Sequence, residues 1–333
     1  MRGARAGIGV RAGIGVALAT CLAGQQVPTI RVPVRLVSLP TLVFSDENRL
    51  VPGLQAGDFR VFDNGRPQSV TLDTSSTPVS LAVAVQVNRD VREYAGFIAK
   101  VGSVLDALVA GELGETAAIA YGGDVETIKP FGAGDLRAAL ARVAAHGRQA
   151  RTIDAGLRAM AMLKERPASR SRVLLFIGQP MDNGSESNLE ALRDQAEREN
   201  VTVYAVTLPE FNKAFVSDTF SLQGLSSQSD RGGFKAGVDL GKLIPTLSRS
   251  GAAQAASDPF STLTAATGGM QFHIRKQREL ERALAAIGVS LRSTYMLSYT
   301  PSGTEEGFHN ISVEVNVPGA KACTRPGYWM SAN

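Results

Sequence analysis

The spacing of hydrophobic positions changes character twice along the 333 residues. Residues 31–44 alternate Val, Leu and Phe with polar positions, Asp46-Glu47-Asn48 offers a turn, and Asp58-Phe-Arg-Val-Phe-Asp-Asn-Gly65 reads as a strand running into a hairpin. The far end repeats that pattern. Residues 293–299 and 309–317 read as strands around a turn at Pro301-Ser-Gly303, so the two ends are expected to share a sheet. Between them, short apolar runs alternate with amphipathic stretches of helical length, the mark of a mostly parallel sheet covered by helices. Strands are expected at 80–87, 116–121, 171–177, 201–208 and 271–274. Helices are expected near 92–110, 134–145, 153–165, 187–199, 257–267 and 277–290, with Asp135 and Ser187 near two of their starts. Leu81-Ala-Val-Ala-Val85 and Val173-Leu-Leu-Phe-Ile177 are continuously apolar, as strands buried on both faces require, and are assigned to the sheet's centre. Residues 209–256 lose this rhythm, apart from a short helix-like stretch at 238–247, and read as an insertion or a surface excursion.

The expected architecture is a three-layer α/β domain over residues 77–289, with residues 28–76 and 290–330 forming an accessory β domain against it. A composition of 44% hydrophobic and 20% charged residues excludes disorder of the whole chain. The net charge of +4 comes without a basic run interleaved with aromatics beyond the first eleven residues, which argues against nucleic acid as a partner. Arg2, Arg5 and Arg11 precede an apolar run from Ile14 to Ala23, the layout of a secretory signal over residues 1–23 that is too short to span a membrane permanently. The other reading of this run is a buried N-terminal strand. Cys21 follows Leu18-Ala-Thr20, which resembles a lipoprotein signal, while cleavage after Ala23 is equally readable. With Cys323 as the other cysteine, the mature fold is not expected to rely on a disulfide. The expected location is therefore the periplasm, the exterior or the cell envelope.

Several motifs follow one another in a characteristic order. They are Gly53-Leu-Gln-Ala-Gly-Asp58 running through to Gln68, Ile153-Asp-Ala-Gly-Leu157, Met181-Asp-Asn-Gly-Ser185, Ala266-Thr-Gly-Gly269, Tyr295-Met-Leu-Ser-Tyr-Thr-Pro301 and Arg325-Pro-Gly-Tyr-Trp329. Together they resemble the von Willebrand factor A-related family of secreted, acidobacterial-type proteins, over nearly all of residues 30–329. The resemblance implies a Rossmann-like A domain. It also implies a divalent ion at the strands' carboxyl ends, held by Asp-x-Ser-x-Ser, a Thr and an Asp from three loops, with a partner's carboxylate completing the shell. Hard ions such as Mg²⁺ need such a ring of oxygens with net negative charge.

The sequence departs from that pattern. Gln86, Asn88 and Asp90 fall where Asp, Ser and Ser belong, Ala150 falls on the Thr, and Gln179 falls on the third-loop Asp. Thr152 is close by but expected to point elsewhere. Two amides in place of carboxylates, with Arg89 in the first loop, weaken the case for a metal cofactor; Asn88, Asp90 and Asp182 are the residual candidates for a weak Mg²⁺ or other divalent site. Arg89, Arg148 and Arg151 are expected on the same crest, where guanidinium groups can grip a partner's carboxylate in the ion's stead. The candidate ligand-binding set is thus Gln86, Asn88, Arg89, Asp90, Arg148, Arg151 and Gln179. Solvated loop arginines and capping residues are the plainer reading.

No enzymatic constellation stands out. His146, His273 and His309 form no zinc spacing, no Gly-x-Ser-x-Gly elbow occurs, and Gly237-Val-Asp-Leu-Gly-Lys242 is one residue short of a phosphate loop. Carboxylates such as Asp90, Asp124, Asp154 and Asp182 leave a hydrolase using a carboxylate pair open, but their number is ordinary for this length. The expected function is therefore non-enzymatic binding of a protein or envelope ligand, acidic if the arginines act. The alternatives are a structural envelope protein without a ligand site and a weak residual metal-dependent binder.

Overall fold

A computed structural model of the chain describes residues 36–47, 49–73, 77–109, 114–132, 134–144, 147–209, 258–275, 277–303 and 305–330. The expected export segment 1–23 with Cys21, the excursion at 209–256 apart from Pro209, with its helix at 238–247, and His146 lie outside the described residues. In chain order the first elements are β1 (Val37–Phe44), β2 (Phe59–Asp63), β3 (Arg66–Gln68), β4 (Thr71–Asp73), β5 (Val79–Gln86) and α1 (Ala95–Val109). There follow β6 (Glu115–Tyr121), β7 (Val125–Lys129), α2 (Leu136–Ala141), α3 (Thr152–Lys164), β8 (Ser171–Gly178), α4 (Leu189–Arg198) and β9 (Val201–Thr207). Last come α5 (Pro259–Thr267), β10 (Gln271–His273), α6 (Gln277–Ser293), β11 (Tyr295–Tyr299), β12 (Gly307–Val315), β13 (Lys321–Cys323) and β14 (Gly327–Met330).

The central sheet runs β10-β9-β8-β5-β6-β7, all neighbours parallel except β7, which returns antiparallel along β6. Its two central strands are the two continuously apolar ones. Alternate side chains serve opposite faces: Leu81, Val83 and Val85 pack under α1, α2 and α6, while Ala82 and Ala84 face α3, α4 and α5. This is a three-layer α/β domain. Burial of each such leucine or valine stabilises it by roughly 1.5–3 kcal/mol. Small residues on the second face let helices approach closely; a Cβ on Gly156 of α3 would lie 2.4 Å from Leu192 of α4. The Gly-Gly pair that ends α5 also has a physical reason. Gly268 caps the helix at φ 74°, and a Cβ on Gly269 would sit 1.8 Å from the Val203 carbonyl.

Three expectations need correction. The helix expected at 134–145 ends at Ala141, where Arg142 donates its N–H to the Ala139 and Leu140 carbonyls. Asp135 caps its start as expected, accepting from Arg137 and Ala138. Ser187 does not cap α4; Asn188 does, through Oδ1 to the Ala191 N–H, while the Ser187 N–H donates to Asp154. The edge strand β7 was not anticipated, because Val125-Glu-Thr-Ile-Lys129 is short and lies directly after the Gly122-Gly-Asp124 turn.

The two ends of the chain do share sheets, and two of them. β13-β1-β11-β4 and β14-β12-β2-β3 each interleave N- and C-terminal strands and enclose one core with Leu39, Val61, Leu297 and Tyr299 at its centre. The β2–β3 hairpin turns on Asn64 (φ 47°) and Gly65 (φ 78°), as the Asn-Gly pair predicts. This lobe joins the α/β domain through Leu42 and Phe44, which enter the core under α1 and α6, and through the Trp329 indole, which donates to Glu197 of α4 at 3.1 Å. No described helix is long and apolar enough to cross a membrane.

Candidate functional site

In an open parallel sheet the ligand crevice lies beyond the carboxyl ends of the strands where the chain's direction of winding reverses. Here that point falls between β5 and β8, so Gln86 and Gly178 stand at its floor. The site is built from the 3₁₀ stretch Arg89–Tyr94, the loop 147–151 and the loop 179–187.

Gln86 is fully buried and ties the two central strands together. Its Oε1 accepts the Gln179 backbone N–H at 2.6 Å, so its Nε2 is turned to Asn88 Oδ1 at 3.0 Å and Gln179 Oε1 at 3.4 Å. Asn88, also buried, is fixed from both ends. Its Oδ1 accepts the Asp90 N–H at 3.2 Å, and its Nδ2 donates to the Arg148 and Gln149 carbonyls at 3.1 and 3.2 Å and to Asp90 Oδ2 at 3.3 Å. Since backbone N–H groups only donate and carbonyls only accept, both amide orientations are forced by their partners. Gly178 is part of this lock. A Cβ there would meet the Tyr121 hydroxyl at 2.4 Å and Gln86 Oε1 at 2.7 Å.

The start of α3 with the residues before it, 150–154, and the loop at 181–187 are laced to each other. Asn183 Oδ1 accepts the Ala150 N–H at 2.6 Å, Thr152 Oγ1 donates to the Met181 carbonyl at 2.5 Å, and Asp182 Oδ2 accepts the Ile153 N–H at 2.8 Å. Asp182 also accepts the Ser185 N–H and hydroxyl at 3.2 and 2.5 Å. Asp154 answers by accepting the Glu186 and Ser187 N–H groups at 3.0 and 3.2 Å. Burial opposes its charge, but these N–H donors and Arg151 outweigh that and hold its carboxyl below the usual range. The motifs at 153–157 and 181–185 thus act here as a reciprocal brace.

The sequence-derived residues separate into three groups. Gln86, Asn88, Asp90 and Gln179 form one hydrogen-bonded cluster. Arg151 is engaged, bonded to Asp154 at 2.8 Å and to Glu186 at 2.9 Å, and Asp182 is taken up by the brace. Arg89 and Arg148 are exposed, and among the described residues neither guanidinium has a partner. Their loops are joined backbone to backbone by the Arg89 N–H and the Gly147 carbonyl at 3.1 Å.

The donor set fits a hard cation poorly. The oxygens of Gln86, Asn88 and Asp182 already accept N–H donors, and the amide NH₂ groups of Gln86 and Asn88 present positive hydrogens within the cluster. No group of three or more His, Cys, Asp or Glu side chains that could hold a metal occurs among the described residues.

Tyr121 was missed by sequence reasoning. It closes β6 opposite Gln86, is fully buried, and its hydroxyl makes no hydrogen bond of good geometry among the described residues; burial pushes its pKa up. A tyrosine closing the apolar stretch Ala117–Ala120 of β6 is the signal that could have found it. Beside the crest, a groove of about 440 Å³ runs from Val87 and Gly122 to Thr127, with Asp124 and Glu126 against Arg142 on its walls.

No family profile and no curated protein matches the chain. Among solved structures it is similar to the von Willebrand factor type A protein from Catenulispora acidiphila, at 11% identity and TM-score 0.45, covering 90% of this chain and 64% of that one. It is also similar to the conserved hypothetical protein BatB from Bacteroides thetaiotaomicron, at 10% identity and TM-score 0.39, over 64% of this chain and 97% of that one. An aerotolerance-related membrane protein from Bacteroides fragilis gives 13% identity and TM-score 0.39, over 64% and 98%.

Proposed function

We propose that this chain is an exported, non-enzymatic binding protein of the von Willebrand A type, whose crest takes an acidic group of a protein or envelope ligand without a metal ion. The observation that carries this reading is the pair of exposed guanidiniums of Arg89 and Arg148, without a partner among the described residues, on joined loops at the point where the sheet's winding reverses. Beneath them the places expected to hold an ion's ligands are bonded to one another as neutral amides. Guanidinium offers forked N–H donors that match a carboxylate's two oxygens. An exposed pair of this kind contributes only about 0–1 kcal/mol, so useful affinity needs several acidic groups on one ligand.

Poly-L-glutamate is a suitable probe for that reason. Calorimetric titration into the full chain is expected to show binding that weakens about tenfold or more in the Arg89→Ala/Arg148→Ala variant, while Arg137→Ala, an exposed arginine on α2, leaves it unchanged. Equal loss in both variants would reduce the effect to net charge. No binding at all would favour a spacer role in the envelope.

A further inference from the structure

At the centre of the outer lobe, four polar side chains from four strands converge. Asp63 of β2, Tyr299 of β11, His309 of β12 and Tyr328 of β14 are 4%, 2%, 3% and 6% exposed. Both tyrosine hydroxyls donate to Asp63 Oδ2 at 2.8 Å. His309 Nδ1 lies 2.7 Å from Asp63 Oδ1, and its Nε2 lies 2.8 Å from the backbone carbonyl of Glu305. A carbonyl cannot donate, and a carboxylate that receives two tyrosine protons is an acceptor as well. A neutral imidazole has one N–H and can serve only one of these partners; an imidazolium serves both.

The bond from Tyr299 to Asp63 crosses from one outer sheet to the other, since β11 and β2 belong to different sheets. The remaining charged groups around the cluster make no bond to Asp63 among the described residues. Arg325 lies 5.7 Å over the Tyr328 ring and donates to the Ser38 carbonyl, while the Glu305 carboxylate is bonded to Arg66 at 2.8 Å. The Asp63 charge therefore has His309 as its direct counter-ion.

We propose that His309 is a proton-dependent staple of the outer lobe: protonated, it closes the two sheets on each other through Asp63 and holds Glu305, and on losing its proton it lets the lobe loosen. The neutral ring keeps its N–H on the charged acceptor, because a charge-assisted bond is the stronger one. Its other nitrogen then turns a lone pair on the Glu305 carbonyl, and Asp63 stays buried without a full counter-charge. Burial works against the charged ring, but the bonds to the Glu305 carbonyl and Asp63, with the charges of Asp63 and Glu305, outweigh it and raise the pKa above the ordinary 6.5. The lobe is thus closed below the raised pKa of His309 and released as pH rises through it.

The test uses the full chain labelled with ¹⁵N at histidine, titrated from about pH 5.5 to about pH 9 while the two ring nitrogens of His309 are read by long-range ¹⁵N–¹H spectra. Both nitrogens are expected to be protonated at pH 6.5, with a midpoint above that value and a parallel fall in melting temperature. His309→Gln should flatten the fall. If that variant does not fold, Tyr299→Phe serves instead: by taking a donor from Asp63 it should move the His309 midpoint further up. A His309 that is neutral at pH 6.5, a midpoint that ignores Tyr299→Phe, or a His309→Gln protein with the wild-type pH slope would overturn the staple.

Discussion

The crest of the α/β domain and the centre of the outer lobe are both polar clusters at meeting points of strands, yet they are built from opposite chemistry. In the lobe a charge is buried and compensated: Asp63 is met by His309 and by two tyrosine hydroxyls. At the crest the buried members, Gln86 and Asn88, are neutral, and the charges of Arg89 and Arg148 stand outside without partners among the described residues. A buried charge that is compensated holds structure together, whereas an exposed charge without a partner adds little to stability and remains free for a ligand. The lobe is therefore expected to respond to mutation through folding, and the crest through binding.

The sharpest way to break this contrast is to remove one half of a buried pair. Asp63→Ala leaves an imidazolium buried opposite two tyrosine hydroxyls, and urea unfolding of the full chain should show a loss of about 3–5 kcal/mol. Gly178→Ala should cost less, about 1–3 kcal/mol, because the new methyl must displace Tyr121 or Gln86 from the switch point; a melt within error of wild type would mean that the lock is slack. Unfolding free energies measured at rising pH give the third comparison. The folded pKa of His309 is raised, so its contribution is complete below the ordinary 6.5 and is lost as pH rises through the folded value; stability that climbs over that range contradicts the assignment.

Smaller effects belong to the crest. Asp90 stands beside the two arginines with its carboxylate on Asn88, so Asp90→Asn should tighten poly-L-glutamate binding by about two- to fivefold without moving the melting temperature. The smallest expected effect is none: melts in EDTA and in millimolar Mg²⁺ should coincide, since an ion that binds the native state raises stability by mass action. An Mg²⁺-specific rise that Asp90→Ala abolishes would return a metal to the crest.

The layering was legible because burial on both faces leaves a continuous apolar run. Leu81–Val85 and Val173–Ile177 carry that mark, and they are the two central strands. The Asn64-Gly65 hairpin was legible from its turn chemistry. The short edge strands were not, since three to five residues such as Val125-Glu-Thr-Ile-Lys129 carry too little periodicity to separate a strand from a turn. At the crest, Gln86, Asn88, Asp90 and Gln179 were grouped by the resemblance and are joined by hydrogen bonds, since Gln86 ends β5 and the other three follow the ends of β5 and β8, whose register the apolar runs fix. The fate of Arg151 was hidden. Its partners Asp154 and Glu186 sit on the first turn of α3 and on a separate loop, and only their lacing decides that this guanidinium is engaged while those of Arg89 and Arg148 have no partner among the described residues. The His309 cluster was hidden for the same reason, as Asp63 and His309 are 246 positions apart and nothing local announces their meeting.

The central claim is that the arginines of the crest do the work an ion would otherwise do. Titration of poly-L-glutamate into the full chain, once in EDTA and once in millimolar Mg²⁺, tests it most directly. Equal affinities in the two buffers, both lost in Arg89→Ala/Arg148→Ala, are the predicted result. Binding that appears only with Mg²⁺, or that persists without the two arginines, would contradict it.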